Sequence, residues 1–145
     1  MAPRSETTAR IDAFAARLSY ALRVPGTHPS GLSYDALIAI LAAQGRDFTA
    51  DSERARDHVR IVLREQFAGS TRPPGLAQLK QFAAAALLEW MLARIESGLR
   101  DVPIKPNDPV YRAWKRKHAA YSVPLMHTGA LRNRVRDHGR VEVKT

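Results

Sequence analysis

His118, His127 and His138 are the residues of this chain best suited by type to bind a metal ion, because imidazole nitrogens are good ligands for zinc and similar cations. They are nine and eleven residues apart, with no cysteine anywhere and no paired carboxylates beside them. That spacing does not build a coordination sphere. Ser122, His127 and Asp137 hold the atoms of a nucleophile, base and orienting acid. No motif surrounds them of the kind that brings such a triad together. The chain also lacks a Gly-rich phosphate loop, a dinucleotide fingerprint and a His-Glu-x-x-His helix. The expectation is therefore a protein that is not an enzyme and holds neither cofactor nor metal.

A basic-aromatic segment has a stronger functional claim. Tyr111, Trp114 and His118 lie at spacings of three and four, which places them on one helical face, and Arg112, Lys115 and Arg116 flank them. Three roles are open. Trp114 packs a core beneath ordinary solvated cations, or it contacts another protein, or it stacks on nucleic acid. A single-strand binder more often spreads several aromatics over a sheet.

The charge surrounding this segment is unevenly distributed. The 145 residues carry 23 Lys and Arg against 14 Asp and Glu, a formal net charge of +9. Residues 1–104 hold 13 basic and 11 acidic groups, whereas residues 105–145 hold 10 and 3. Basicity is thus a property of the C-terminal segment, and such a field attracts nucleic acid, acidic protein faces or anionic lipid. Hydrophobic residues make up 45% of the chain, enough to bury a core in one domain. Uncharged apolar runs such as Phe82 to Leu88 fall far short of the roughly 20 residues that cross a bilayer, so no membrane segment is expected. The N-terminus lacks the apolar stretch of a secretory signal.

Four main helices would position these residues. Ile11, Phe14, Leu18 and Leu22 form the stripe of a first helix, capped by Ser5 and ending before Pro25. The Pro- and Gly-rich segment 25–31 reads as a loop. Ser33 precedes a second helix with Leu37, Ile40 and Leu41, and Gly45 stops it. Asp51 or Ser52 caps a third, whose stripe is Ala55, Val59, Val62, Leu63 and Phe67. Its arginines 54, 56, 60 and 64 lie mostly on a solvated face with helically spaced acidic partners. The fourth, over 76–99, carries one stripe of Leu76, Leu79, Phe82, Ala86, Trp90 and Ala93 and another of Leu88, Met91, Leu92, Ile95 and Leu99. It is the expected core, packed on two sides. Pro103, Pro106 and Pro109 then enforce an extended connection, and Asp108 with Pro109 opens a short basic helix over 110–119. Thr128-Gly129 opens a further helical turn, and residues 138–145 alternate like a strand. Added to a neighbouring subunit's sheet, that strand would have its backbone groups satisfied through another chain. The fold class is α+β and predominantly helical, with a small C-terminal β element. Residues 1–104 form a helical core and residues 105–145 a basic segment of the same domain.

The C-terminal region also carries a motif. A helix ending near Ile95-Glu-Ser-Gly98, the proline spacing, Tyr111-Arg-Ala-Trp-Lys-Arg-Lys117 and then Pro124-Leu-Met-His-Thr-Gly-Ala-Leu-Arg-Asn133 follow one another. This succession resembles the tailed-phage virion-morphogenesis proteins of the neck and tail-completion type, in which a proline-leucine, a threonine-glycine and a leucine-arginine recur in that order. Here these pairs are Pro124-Leu125, Thr128-Gly129 and Leu131-Arg132. Where the family usually continues with serine-isoleucine into a strand, this chain has Asn133-Arg-Val-Arg136. The resemblance covers about the last third of the chain. Independently of it, Gly129 suits a tight turn, Thr128 a helix cap, and Leu125 with Leu131 the fastening of that turn to a core.

The resemblance implies a bacteriophage virion protein, made in the bacterial cytoplasm and placed in the neck at the head-tail junction. It would be a head-tail connector subunit that works as, or docks on, a homo-oligomeric ring around the DNA channel. Its implied partners are copies of itself, portal, adaptor, collar or tail-terminator proteins, and DNA passing through the lumen. Tyr111, Trp114, Pro124, Leu125, Thr128, Gly129, Leu131, Arg132, Arg134 and Arg136 are the candidate interface or structural positions. Arg134 and Arg136 are expected to be exposed charges facing acidic partners, with little effect on the fold. The alternative is a basic DNA-binding or packaging-associated protein, whose affinity would fall steeply with salt. A small hydrolase is a third reading, and no motif suggests one.

Overall fold

The computed structural model describes residues 3–43, 45, 47–97 and 130–145. In chain order these form α1 (Pro3–Arg17), β1 (Ser19–Arg23), α2 (Tyr34–Ala43), α3 (Ser52–Gln66), α4 (Leu76–Glu96), α5 (Ala130–His138) and β2 (Arg140–Lys144). The fold is mostly helical α+β, and β1 and β2 form a two-stranded antiparallel sheet. By contacts the chain divides into two compact units. One comprises Met1–Leu22, Asp51–Trp90 and Val141–Thr145, the other Arg23–Ala50 and Met91–Arg140.

In the first unit the core follows the helical periods of α1 and α3. Ile11, Phe14 and Leu18 are buried with Ala55, Val59, Leu63 and Phe67, and Leu79, Ala83 and Leu87 of α4 join the same cluster. Phe67 and Phe82 meet edge to face with ring centroids 5.3 Å apart, an arrangement the aromatic quadrupole favours. The half-buried Tyr20, Val141 and Val143 of the sheet pack on this cluster. A two-stranded ribbon is marginal alone, so this apolar support is what holds it. Arg56 donates from Nε to the carbonyl of Leu18 at 3.0 Å, satisfying an oxygen just past the end of α1. Arg64 grips Asp12 through both carboxylate oxygens, with Nη2 2.7 Å from each.

The caps follow the sequence. Asp51 accepts from the Arg54 backbone N–H and Ser33 Oγ from that of Ala36, so α3 and α2 start where short polar side chains satisfy orphan donors. Gly45, with φ of 79°, lies just past α2.

Three expectations are corrected. The helix predicted to run toward Pro25 ends at Arg17, and Ser19–Arg23 is a strand. The β-sheet partner that decides this is β2, far away in sequence, which no local stripe including Leu22 reveals. Helix α1 begins at Pro3, upstream of Ser5, because proline suits a first turn whose N–H is orphaned anyway. The C-terminal strand pairs with β1 of its own chain, a partner that the sequence did not point to. Helix α4 ends at Glu96, and its buried line is Leu79, Ala83, Ala86, Leu87, Met91 and Ile95, while Leu76 of the expected stripe is 54% exposed. A helix apolar on nearly every side does not announce its inner face.

Candidate interface and structural site

Helix α5 carries the part of the C-terminal motif that lies among the described residues. Its apolar positions Leu131 and Val135, four apart on one face, are both buried. Three arginines alternate with them, and each finds a different partner within the second unit. Arg132 donates from Nε and Nη2 to one oxygen of Glu96 at 2.9 and 2.8 Å, tying α5 to the last turn of α4. Arg136 pairs with its neighbour Asp137 at 2.8 Å. The hydrogen bond from Arg136 holds the Asp137 carboxyl below its ordinary range, and the same bond raises Arg136. Arg136 and His138, in the last turn, also lie where the helix dipole favours cations.

Arg134 is the most engaged of the three. Its Nε donates to the carbonyl of Pro25 at 2.7 Å, and its guanidinium carbon lies 5.8 Å from the centroid of the Tyr34 ring. Cations over an aromatic face are attracted by the ring quadrupole. Tyr34 is buried and meets His28 edge to face at 5.6 Å. The loop receiving Arg134 is ordered by its own bonds: the N–H of His28 donates to Leu32, that of Tyr34 to Gly26, and that of Val24 to the Asp35 carboxylate. Gly26 has a φ of 98°, and a side chain built there would meet the Arg134 guanidinium. The backbone therefore favours glycine here, and a Cβ would in addition push the arginine's head from its place. Arg134 is thus not the freely exposed charge expected. It is half-buried because the loop before α2 folds under it, whereas Arg136 is exposed as expected.

A second arginine of this unit supports the α4 end. Arg94 is buried and donates from Nη1 to the carbonyls of Phe48, at 3.1 Å, and Ala50. A buried guanidinium on two backbone oxygens trades its hydration for fixed acceptors and thereby fixes the segment leading into α3.

Of the candidate positions, Leu131, Arg132, Arg134 and Arg136 share α5. Tyr111, Trp114, Pro124, Leu125, Thr128 and Gly129 lie outside the described residues, as do the short basic helix, Ser122, His118 and His127. Among the described residues no group of three His, Asp or Glu could hold a metal ion, and no helix is long and apolar enough to cross a membrane. Sequence reasoning missed Pro25, Gly26, Tyr34, Glu96 and Arg94 as partners in this unit. Arg94 had one legible signal, a charge at a position three residues after Met91 where the inner face of α4 continues. Compared with known proteins, the chain matches no protein-family model, no curated protein and no solved structure.

Proposed function

We propose that this chain is a non-enzymatic structural subunit of a tailed-phage virion, of the neck or tail-completion type, which forms or docks on a ring at the head-tail junction. The observation that carries the reading is the behaviour of the motif pair Leu131-Arg132: the leucine is buried and the arginine clamps Glu96. Both perform structural work, as expected of a motif that shapes a fold rather than a reaction centre. The arginines of α5 also favour this reading over a DNA-binding one. Arg132, Arg134 and Arg136 each hold an acceptor within the chain, and a cation so engaged is less available to neutralise phosphates.

Native mass spectrometry and light scattering of the purified protein test it. The expected result is a closed multimer, or a monomer that assembles onto a neck or tail-end ring. A chain that stays monomeric at every concentration, binds no virion component and binds duplex DNA with a steep salt dependence would overturn the reading and establish the DNA-binding alternative.

A further inference from the structure

In the first unit a cavity of about 330 Å³ opens between α1 and the start of α4. Its lining includes Phe14 and Leu79, both nearly buried, the exposed Leu76, and Thr145 beside them. Arg10 and Arg17 also line it. Seven residues apart on α1, they share one face at a separation of about 10 Å along the helix axis. The cavity is therefore apolar at its floor and cationic at two points.

Neither arginine is strongly committed. Arg10 meets Glu6 at 3.4 Å with both side chains more than half exposed, and such pairs exchange readily for a better partner. Arg17 is exposed and has no ion pair among the described residues. The first turn of α4, which contributes Leu76 and Leu79, carries no acidic residue, so its positive dipole end favours an incoming carboxylate as well. A guanidinium binds carboxylate through two parallel N–H donors, which gives direction as well as attraction. The space suits one or two side chains rather than a domain, being at the small end of ligand-sized cavities.

We propose that this cavity is a docking site for a peptide segment of a partner protein, in which one large apolar side chain enters between Phe14, Leu76 and Leu79 while flanking carboxylates pair with Arg10 and Arg17. The charge and the apolar floor select this occupant together. Nucleic acid would satisfy the cations, but Phe14 is only 5% exposed and presents no open ring on which a base could stack. The proposal goes beyond the virion reading and holds whether or not the chain forms a ring.

Selection of displayed random 12-residue peptides on the purified full chain tests it. The enriched sequences should share a Leu, Met or Phe with Asp or Glu on each side. Synthetic copies, measured by fluorescence anisotropy, should lose about tenfold or more in affinity with Arg17→Glu or Leu76→Asp. Arg60→Glu, on α3 and lining a different cavity, should leave binding unchanged. Arg17 and Leu76 are exposed, so melting curves like the wild type's are expected. Arg17→Gln provides a milder variant should reversal disturb α1. Failure to enrich an acidic-apolar pattern, undiminished binding by the Arg17 and Leu76 variants, or full competition by duplex DNA would overturn the proposal.

Discussion

Arg134 Nε donates to the backbone oxygen of Pro25 at 2.7 Å, joining positions 109 residues apart in sequence. Through this bond the helix carrying the C-terminal motif residues is fastened to the loop that precedes α2. The contact also depends on what stands next to the proline, because Gly26 leaves the space that the guanidinium fills.

Gly26→Ala should therefore destabilise the chain by about 1–2 kcal/mol, since an L-residue at positive φ is strained and its Cβ would displace Arg134. Chemical denaturation with circular dichroism detection checks this. Gly31, also at positive φ but with open space around it, tests the two causes separately. If both alanine variants lose the same stability, the close approach of Arg134 contributes nothing.

Arg134→Glu should lower stability by about 1–2 kcal/mol, through loss of a hydrogen bond from a charged donor and of the contact with Tyr34. Arg136→Glu should lower the melting temperature far less than Arg134→Glu, because that side chain is about half exposed and its pair with Asp137 lies at the surface. Under the proposed function the Arg136 variant should nevertheless impair joining of heads to tails in a complementation assay. Normal joining by particles that fail to retain DNA would instead assign the charge to the DNA channel.

Replacing Arg94 by Ala should cost about 2–4 kcal/mol, because the carbonyls of Phe48 and Ala50 lose their donor in a place where water does not replace it fully. Arg94→Lys should recover part of that loss, as an ammonium can still donate to a carbonyl. Equal denaturation midpoints for the Ala and Lys variants would show that neither the side-chain stem nor a single ammonium donor replaces Arg94, so that the guanidinium itself is what the two carbonyls need.

Asp137 should titrate below the ordinary aspartate value near 4, because the hydrogen bond from Arg136 favours its ionised form. The sign follows from linkage: a carboxyl lowered in the folded state stabilises it above the unfolded pKa, and that contribution fades as pH falls through the folded value. NMR titration of the side-chain carboxyl should give the lowered midpoint, and Arg136→Gln should return it upward. An unchanged midpoint in the variant would remove the hydrogen bond as the cause.

The sequence by itself determined the elements whose signals are local. The polar residues Ser33 and Asp51 stand ahead of apolar stripes and start α2 and α3, and Gly45 lies just past α2. The alternation of Arg140 to Lys144 marks β2, because a period of two fits only a strand with one face packed. Each of these depends on atoms a few residues apart, so the chain carries the information in its spacing.

Tertiary structure decided the rest. Ser19–Arg23 continues a helical stripe in sequence but becomes a strand because β2 supplies the backbone partners it would otherwise lack. The inner face of α4 was chosen by what packs on it, since its apolar residues surround the helix. Arg64 has no acid three or four residues away on α3 and binds Asp12, 52 residues away, because the pairing of α1 with α3 brings that carboxylate into bidentate range. Whether an arginine is a solvated charge or a structural clamp is likewise set by the acceptor the fold places before it: Arg134 meets a carbonyl and an aromatic ring, while Arg136, two residues on, faces water and its own neighbour.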